Sequence, residues 1–590
     1  MNPHPMPATG AVATASRRAW LMAATSGLLW AGIGLSAQAA SVAPVAAPNG
    51  MVVTAQHLAT RVGVDVLQRG GNAIDAAVAV GYALAVVYPA AGNLGGGGFM
   101  TVQLADGRKT FIDFREKAPL AATPGMYLDP AGKVIPNLST RGHLAVAVPG
   151  SVAGLEHARA KYGTLPRSTL LAPAIALAEA GYTLERGDVE MLREGADKFS
   201  RDAPSAAIFL KPGGAPFEIG ERLVQPDLAR TLQAIAQRGA AGFYQGAVGA
   251  ALVKSSQGGG GILTQADLDG YAPRELAPIE CDYRGLRVIS APPPSSGGVV
   301  ICEVLNILEG YPLKDWGFRS AQAVHHQIEA LRHAFVDRNS YLGDPDFVNN
   351  PIARLTDKAY AAQIRRVIDP DKAGVSQDIR PGVAPHEGSN TTHYSIADRH
   401  GNAVAVTYTL NDWFGAGVTA QGTGVLLNNE MDDFTVKLGV PNSYGLVQGQ
   451  ANAIAPGKRP LSSMSPTIVS RDGKPLMVLG TPGGSRIITA VLHTLLNVID
   501  YGMNLQEAVD APRFHQQWLP DMTYFEPYAI SPDTRALLQA KGQRMGPPQP
   551  DNHVAAILVG APTLGGPPVG QNRYYGANDP RRNSGLALGH

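Results

Sequence analysis

The sequence predicts an α+β fold in which helices pack on antiparallel sheets. Two hairpin signatures and two long helical patterns carry that prediction. Thr391–Ile396 and Ala403–Leu410 read as paired strands around the turn Asp398–Asn402, the second with clear period-two alternation. Ser465–Ser470 and Pro475–Gly480 form a second such pair around Arg471–Gly473. Ala76–Tyr88 is a continuous apolar run that reads as a helix buried on every side. Ser320–Arg338 carries Val324, Ile328, Leu331 and Phe335 at helical spacing.

The chain has 590 residues, 45% of them apolar and 16% charged, too many for one ordinary core and too apolar for wholesale disorder. A formal net charge of +1 argues against a dedicated nucleic-acid binder, which needs a basic face for phosphates. Two cysteines, Cys281 and Cys302, exclude a disulfide-dense scaffold and a four-thiolate metal site. Whether they pair or stay as buried thiols is left open by their spacing. Residues 1–39 read as an export signal. Arg17 and Arg18 precede the apolar stretch Trp20–Leu35, and Ala37-Gln38-Ala39 supplies a small-residue cleavage site. Ser16–Leu21 also fits a twin-arginine signal, with a plain Sec signal as the alternative. Either predicts a periplasmic or secreted bacterial protein. Its removal would turn the net charge from +1 to −1. Ala76–Tyr88, the most apolar later segment, falls short of the roughly 20 residues that a membrane span needs.

Along the chain, Gly92–Gly98 is glycine-rich, but a strand (Phe99–Leu104) follows it rather than a helix. That favours close-packed backbone over a dinucleotide site. His325, His326 and His333 lie on the Ser320–Arg338 helix without an HExxH pattern, so they read as core or solvated histidines. Residues 379–390 read as a linker. The turn after them centres on His400 and sets Thr391 opposite Thr409. Further on, Pro482-Gly483-Gly484 leads into a helix, Ile487–Ile499, and the last stretch holds a Pro/Gly-rich loop, Ala561–Gly570, and a polar end. No GxSxG elbow and no GxxxxGK[ST] loop is present.

What remains is the Asn390–Thr391 junction. A threonine hydroxyl is a poor nucleophile unless a base sits beside it. Cutting the bond before Thr391 would place a new α-amino group, with an ordinary pKa of about 8, within reach of its own side chain. Thr409, opposite in the hairpin, could hydrogen-bond and hold that hydroxyl.

These residues sit within a longer set of stretches: AGNLGGGGFM (91–100), DFREKAP (113–119), AVPGSVAG (147–154), PPPSSGG (292–298), YLGDPDF (341–347), NTTHYS (390–395), GNAVAVTYTLN (401–411), LLNNEMDDF (426–434), KRPLSSMSPTIV (458–469) and GTPGGSRII (480–488). In that order they resemble the γ-glutamyltranspeptidase family of N-terminal nucleophile hydrolases. The resemblance implies a four-layer αββα sandwich formed jointly by two chains cut from one precursor. Residues 1–39 would be the signal, 40–390 the large subunit, and 391–590 the small one beginning with the nucleophile. It implies that Thr391 cuts its own bond to Asn390 and then attacks γ-glutamyl amides such as glutathione. Acyl transfer would go to water, amino acids or peptides, without metal or cofactor. By the same resemblance Arg115, Ser462 and Ser463 would bind the substrate α-carboxylate. Asn411, Glu430 and Asp433 would bind its ammonium, and Gly483 and Gly484 would form the oxyanion hole. Thr409 would position the nucleophile, and Tyr444 would belong to a lid loop, Leu438–Asn452.

Two rival functions share parts of this reading. One is a glutaryl-cephalosporin acylase with the same nucleophile. The other is a periplasmic γ-glutamyl-binding protein that never matures.

Overall fold

The computed structural model describes residues 42–379 and 391–590. The export signal, nearly all of the linker, and Asn390 at the expected cut lie outside the described residues.

Two seven-stranded antiparallel sheets form the centre. One runs, edge to edge, Val45–Ala47, Tyr574–Asn578, Ala555–Val559, Lys474–Gly480, Thr467–Arg471, Leu286–Ser290 and Ile279–Tyr283. The other runs Leu586–Gly589, Met51–Thr54, Thr392–Ala397, Ala403–Thr409, Gly97–Gln103, Lys109–Phe114 and Arg274–Leu276. Strand alternation sorts their side chains into three apolar layers. Met51, Val53, Ala397, Ala405, Ile468, Val478 and Ile557 meet between the sheets. Val52, Met100, Tyr394, Ile396, Val404 and Val406 face outward onto helices that include Ala73–Val87. Val288, Val469, Met477, Leu479 and Leu558 face the other way onto Gly297–Leu308, Ala321–Tyr341 and Arg486–Ile499. This is the four-layer αββα sandwich that the family resemblance implies.

The helix expected at 76–88 spans Ala73–Val87 with every residue buried. Asn72 opens it in a capping box: its side chain accepts the Asp75 N–H and the Asp75 carboxylate accepts the Asn72 N–H. Nine of the fourteen strands in these two sheets escape the sequence reading. Among them, Val45–Ala47, Tyr574–Asn578 and Leu586–Gly589 are only three to five residues long, the first bounded by prolines and the other two glycine-bearing, so no run of alternation marks them. Cys281 and Cys302 form a disulfide that ties the edge strand Ile279–Tyr283 to the helix Gly297–Leu308, settling what their spacing left open. His325 Nε2 bonds the Asp369 carbonyl and His326 Nδ1 the Gln322 carbonyl, so both serve the helical layer. Among the described residues no helix is long and apolar enough to cross a membrane.

Candidate active site

The hairpin sets the first two residues. Its register pairs Thr392 with Tyr408 and His393 with Thr407, which carries Thr391 opposite Thr409 one step beyond. The Thr391 hydroxyl donates to Thr409 Oγ at 3.4 Å. Thr409 Oγ also accepts the Asn411 N–H at 2.9 Å. Asn411 adopts φ +73°, and its side-chain amide donates to the Asn429 carbonyl at 3.0 Å. The glycine run is what lets this strand sit so low. A Cβ at Gly96 would lie 1.9 Å from the Thr409 carbonyl oxygen, and one at Gly98 would lie 2.4 Å from Tyr408 Cβ. Close-packed backbone is therefore the role of this stretch.

His393, two residues after Thr391, is not placed to act as a base for it. His393 is buried, which pushes its imidazole down to about 3. Its Nδ1 meets Thr407 Oγ at 2.8 Å and its Nε2 meets Ser395 Oγ at 3.0 Å, so both nitrogens are held away from Thr391.

Thr391 and Thr409 line a small pocket. Arg115, Asn411, Glu430, Asp433, Tyr444, Ser462, Ser463 and Gly484 line it too. Arg115 is wholly buried at the end of Lys109–Phe114. One guanidinium nitrogen donates to Glu430 and the other to Asp433, and Nε donates to the Pro460 carbonyl at 3.2 Å. Glu116 lies 3.5 Å from the same guanidinium. The family resemblance assigns Arg115 to an anion and the two acids to a cation; the structure puts Arg115 in direct contact with both acids. That contact suits an α-amino acid, whose carboxylate and ammonium hang on one carbon and need neighbouring partners.

Burial dominates the titration here. It raises Glu430 and Asp433 above the usual carboxylate range, against the pull of Arg115. Burial lifts Glu116 to about 7, again opposed by Arg115. Arg115 itself moves upward, because the three acids outweigh the burial that would lower it. The site is a charge cluster removed from water, where unpaired ionisation is costly.

Ser462 and Ser463 are fixed from the PPPSSGG stretch. Ser296 donates its N–H at 2.8 Å and its hydroxyl at 2.7 Å to the Ser462 carbonyl. Ser463 Oγ accepts from Arg338 at 3.1 Å. Arg338 is the charged residue of the pocket lining that the sequence reading missed. It is buried, lines the pocket, and also holds Ser296 Oγ at 2.9 Å and Gln448 Oε1 at 3.2 Å. Burial brings its guanidinium down to about 10, with Asp433 opposing. The available signal was its place on the apolar stripe, three residues after Phe335, where an arginine is out of pattern.

The lid segment begins and ends at one point, since Thr435 and Ala453 form a parallel bridge. Asn452 and Gln448 both donate to the Asp433 carbonyl, at 2.7 and 2.9 Å. Tyr444 is buried within it, and its hydroxyl donates to the Asn411 carbonyl at 2.8 Å. Its ring lies over Gly484, where a Cβ would come within 2.2 Å of Tyr444 Cδ1. Gly483 (φ +119°) and Gly484 (φ +55°) then enter the helix Arg486–Ile499. Gly484 lines the pocket, while Gly483 packs on the Asn552 amide, which a Cβ would meet at 1.9 Å.

A family model, Gamma-glutamyltranspeptidase, matches residues 59–589. The chain belongs to that family. It is 71% identical over 553 residues to the glutathione hydrolase proenzyme of Pseudomonas sp. (strain A14), covering 94% of this chain and 96% of that protein. Among solved structures it resembles the cephalosporin acylase of Bacillus halodurans, with a TM-score of 0.80 and 28% identity over 94% of this chain and 98% of that one. It also resembles the gamma-glutamyltranspeptidase of Helicobacter pylori, with a TM-score of 0.54 and 47% identity over 56% of this chain and 96% of that one. Fold and family make this transpeptidase-family chain an enzyme of the N-terminal nucleophile hydrolase type.

Proposed function

We propose that the chain is a γ-glutamyltransferase and glutathione hydrolase that cuts itself between Asn390 and Thr391. Residues 1–39 direct export to the periplasm or medium and are removed. Residues 40–390 and 391–590 then stay together as large and small subunits. The contact of Thr391 with Thr409, at the rim of a pocket where Arg115 meets Glu430 and Asp433, is the observation that carries this reading. The relative at 71% identity is named a glutathione hydrolase proenzyme, which supports the substrate and the precursor state. A solved chain of the family that is 96% covered by 56% of this one supports a two-piece product.

Thr391 Oγ attacks the γ-amide carbonyl, and the freed α-amino group of Thr391 takes its proton and delivers it to the leaving amine. Cysteinylglycine departs from glutathione and a γ-glutamyl ester remains on Thr391. Water then yields glutamate, or an amino acid or peptide yields a new γ-glutamyl compound. Arg115, Ser462 and Ser463 hold the α-carboxylate, while Glu430, Asp433 and Asn411 hold the ammonium. Gly483 and Gly484 offer N–H groups to the oxyanion at the head of a helix, where one such donor is worth about 2.7–4 kcal/mol of barrier.

Similarity to a cephalosporin acylase favours one second reading, hydrolysis of a glutaryl amide. Purified protein tests both. Two bands on a denaturing gel, the smaller beginning Thr391-Thr392-His393, with faster release from a γ-glutamyl anilide than from glutaryl-cephalosporin, is the expected result. Preference for the glutaryl compound, which lacks the ammonium, would remove the roles given to Glu430 and Asp433. A permanently single, inactive chain would favour a binding protein instead.

A further inference from the structure

The helix Arg186–Phe199 contributes no side chain to the pocket lining, yet its last turn holds a loop that does. That loop is Asn411–Gly415. It carries two non-glycine residues in the left-handed region, Asn411 at φ +73° and Phe414 at φ +61°. Such a conformation is strained and persists only where neighbours restrain it. Asn429 restrains the front of the loop: its Oδ1 accepts the Asp412 N–H and its Nδ2 donates to Asp412 Oδ2, both at 2.9 Å.

Lys198 restrains the back. Its ammonium donates to the Trp413 and Gly415 carbonyls, both at 2.8 Å, and stands 3.8 Å from the Asp412 carboxylate. The two carbonyls bracket Phe414 and Gly415 (φ +54°), so one cation closes the left-handed turn on both sides. The lysine side chain is only 21% exposed, and the hydration it gives up is replaced by these carbonyls. The same helix end seats the Phe414 ring. Phe199 meets that ring edge-on with 4.6 Å between centroids, and a Cβ at Gly195 would lie 2.7 Å from Phe414 Cδ2.

We propose that Lys198 is a positioning residue for recognition of the donor's ammonium: by gripping the Trp413 and Gly415 carbonyls it holds Asn411 left-handed at the pocket. The inference deepens the reading above, in which Asn411 binds that ammonium, and rests on it. Without the lysine, two carbonyls of buried residues lose their charged donor and regain partners only by rotating. Asn411, two residues before Trp413 and strained already, rotates with them. Its side chain then leaves the Asn429 carbonyl, and the ammonium loses an aligned acceptor.

The test compares L-glutamate with glutarate, which lacks the ammonium and is otherwise the same acid. Each inhibits hydrolysis of γ-glutamyl-p-nitroanilide by processed enzyme, and the ratio of the glutarate to the L-glutamate inhibition constant reads recognition of the ammonium. In Lys198→Met that ratio should fall about tenfold, the scale of one charged hydrogen bond, with glutarate inhibition little changed. Lys198→Arg, whose guanidinium can also span two carbonyls, should restore most of the ratio. Equal weakening of both acids, or of neither, would overturn the proposal, because a lysine that serves only stability treats the two alike. Should Lys198→Met give no active enzyme, Phe199→Leu is read in its place. It unseats Phe414 and leaves the ammonium where it is; its ratio should fall in the same direction, and an unchanged ratio would overturn the proposal. L-Glutamate that inhibits the parent enzyme no better than glutarate would instead sink the parent reading, and this proposal with it.

Discussion

Thr409→Val replaces a hydroxyl with a methyl of nearly the same shape, and the structure sets the size of its effect. Thr409 Oγ accepts the Asn411 N–H at 2.9 Å and the Thr391 hydroxyl at 3.4 Å, and donates to the Asn411 carbonyl at 3.4 Å. Losing the first strands a buried N–H, a cost of about 1–3 kcal/mol. The two at 3.4 Å are well beyond the usual O–H···O separation of about 2.7–2.8 Å and add little. Strain at Asn411, a non-glycine residue at φ +73°, pushes the same way once its anchor is gone. Taking about 1.4–2 kcal/mol as the share expressed in the barrier gives a fall in turnover of about ten- to thirtyfold. Hydrolysis of a γ-glutamyl anilide by processed enzyme measures it, and a time course on a denaturing gel measures the same loss in maturation. Thr409→Ser keeps the oxygen and should keep most of both rates. Valine with turnover within twofold of the parent would show that this hydroxyl does not position Thr391.

Gly484→Ala drives a Cβ to within 2.2 Å of Tyr444 at a backbone φ of +55°. Tyr444 must leave Asn411, and a fall of at least about tenfold in kcat/KM for the donor is expected from an overpacking cost of about 1–3 kcal/mol; parental kinetics would refute the contact. Burial pushes Asp432 up to about 6 against the hydrogen bonds it accepts. A raised carboxylate contributes stability in full below its unfolded value of about 3.9 and loses it as pH rises through about 6. The melting temperature of Asp432→Asn should therefore gain on the parent between pH 4 and 7, and a gap constant with pH would contradict this. Cutting the Cys281–Cys302 bond frees a loop of 21 residues, a loss of about 3 kcal/mol. Over a chain this long that is a drop of only about 3 °C, readable by calorimetry with and without reductant.

The sequence makes the site legible along the hairpin and hides it across the fold. A turn centred on His400 fixes the opposition of Thr391 and Thr409, because antiparallel register needs nothing but counting. The helix Ala73–Val87 is legible because it is apolar all round. Arg115, Glu430 and Asp433 come from segments more than 300 residues apart, so only resemblance to a family brings them together before the structure does. Their direct contact, and the entry of Arg338 into the same pocket, depend on how four layers stack, which no local pattern records. Asp412 and Asp432 escape for another reason. Each differs from its pocket-lining neighbour by one position, and only the backbone path decides which of each pair faces in.

The strand Thr392–Ala397 lies mid-sheet, between Met51–Thr54 and Ala403–Thr409. Strands from before and after position 390 abut at five of the twelve borders in the two sheets. The proposed backbone scission there would resemble a nick in woven cloth: the threads would remain interlaced. Halves expressed on separate plasmids would each be left with unmated edges and should precipitate alone. A purification tag at the C-terminus, by contrast, should carry the whole assembly through a column until denaturant is added.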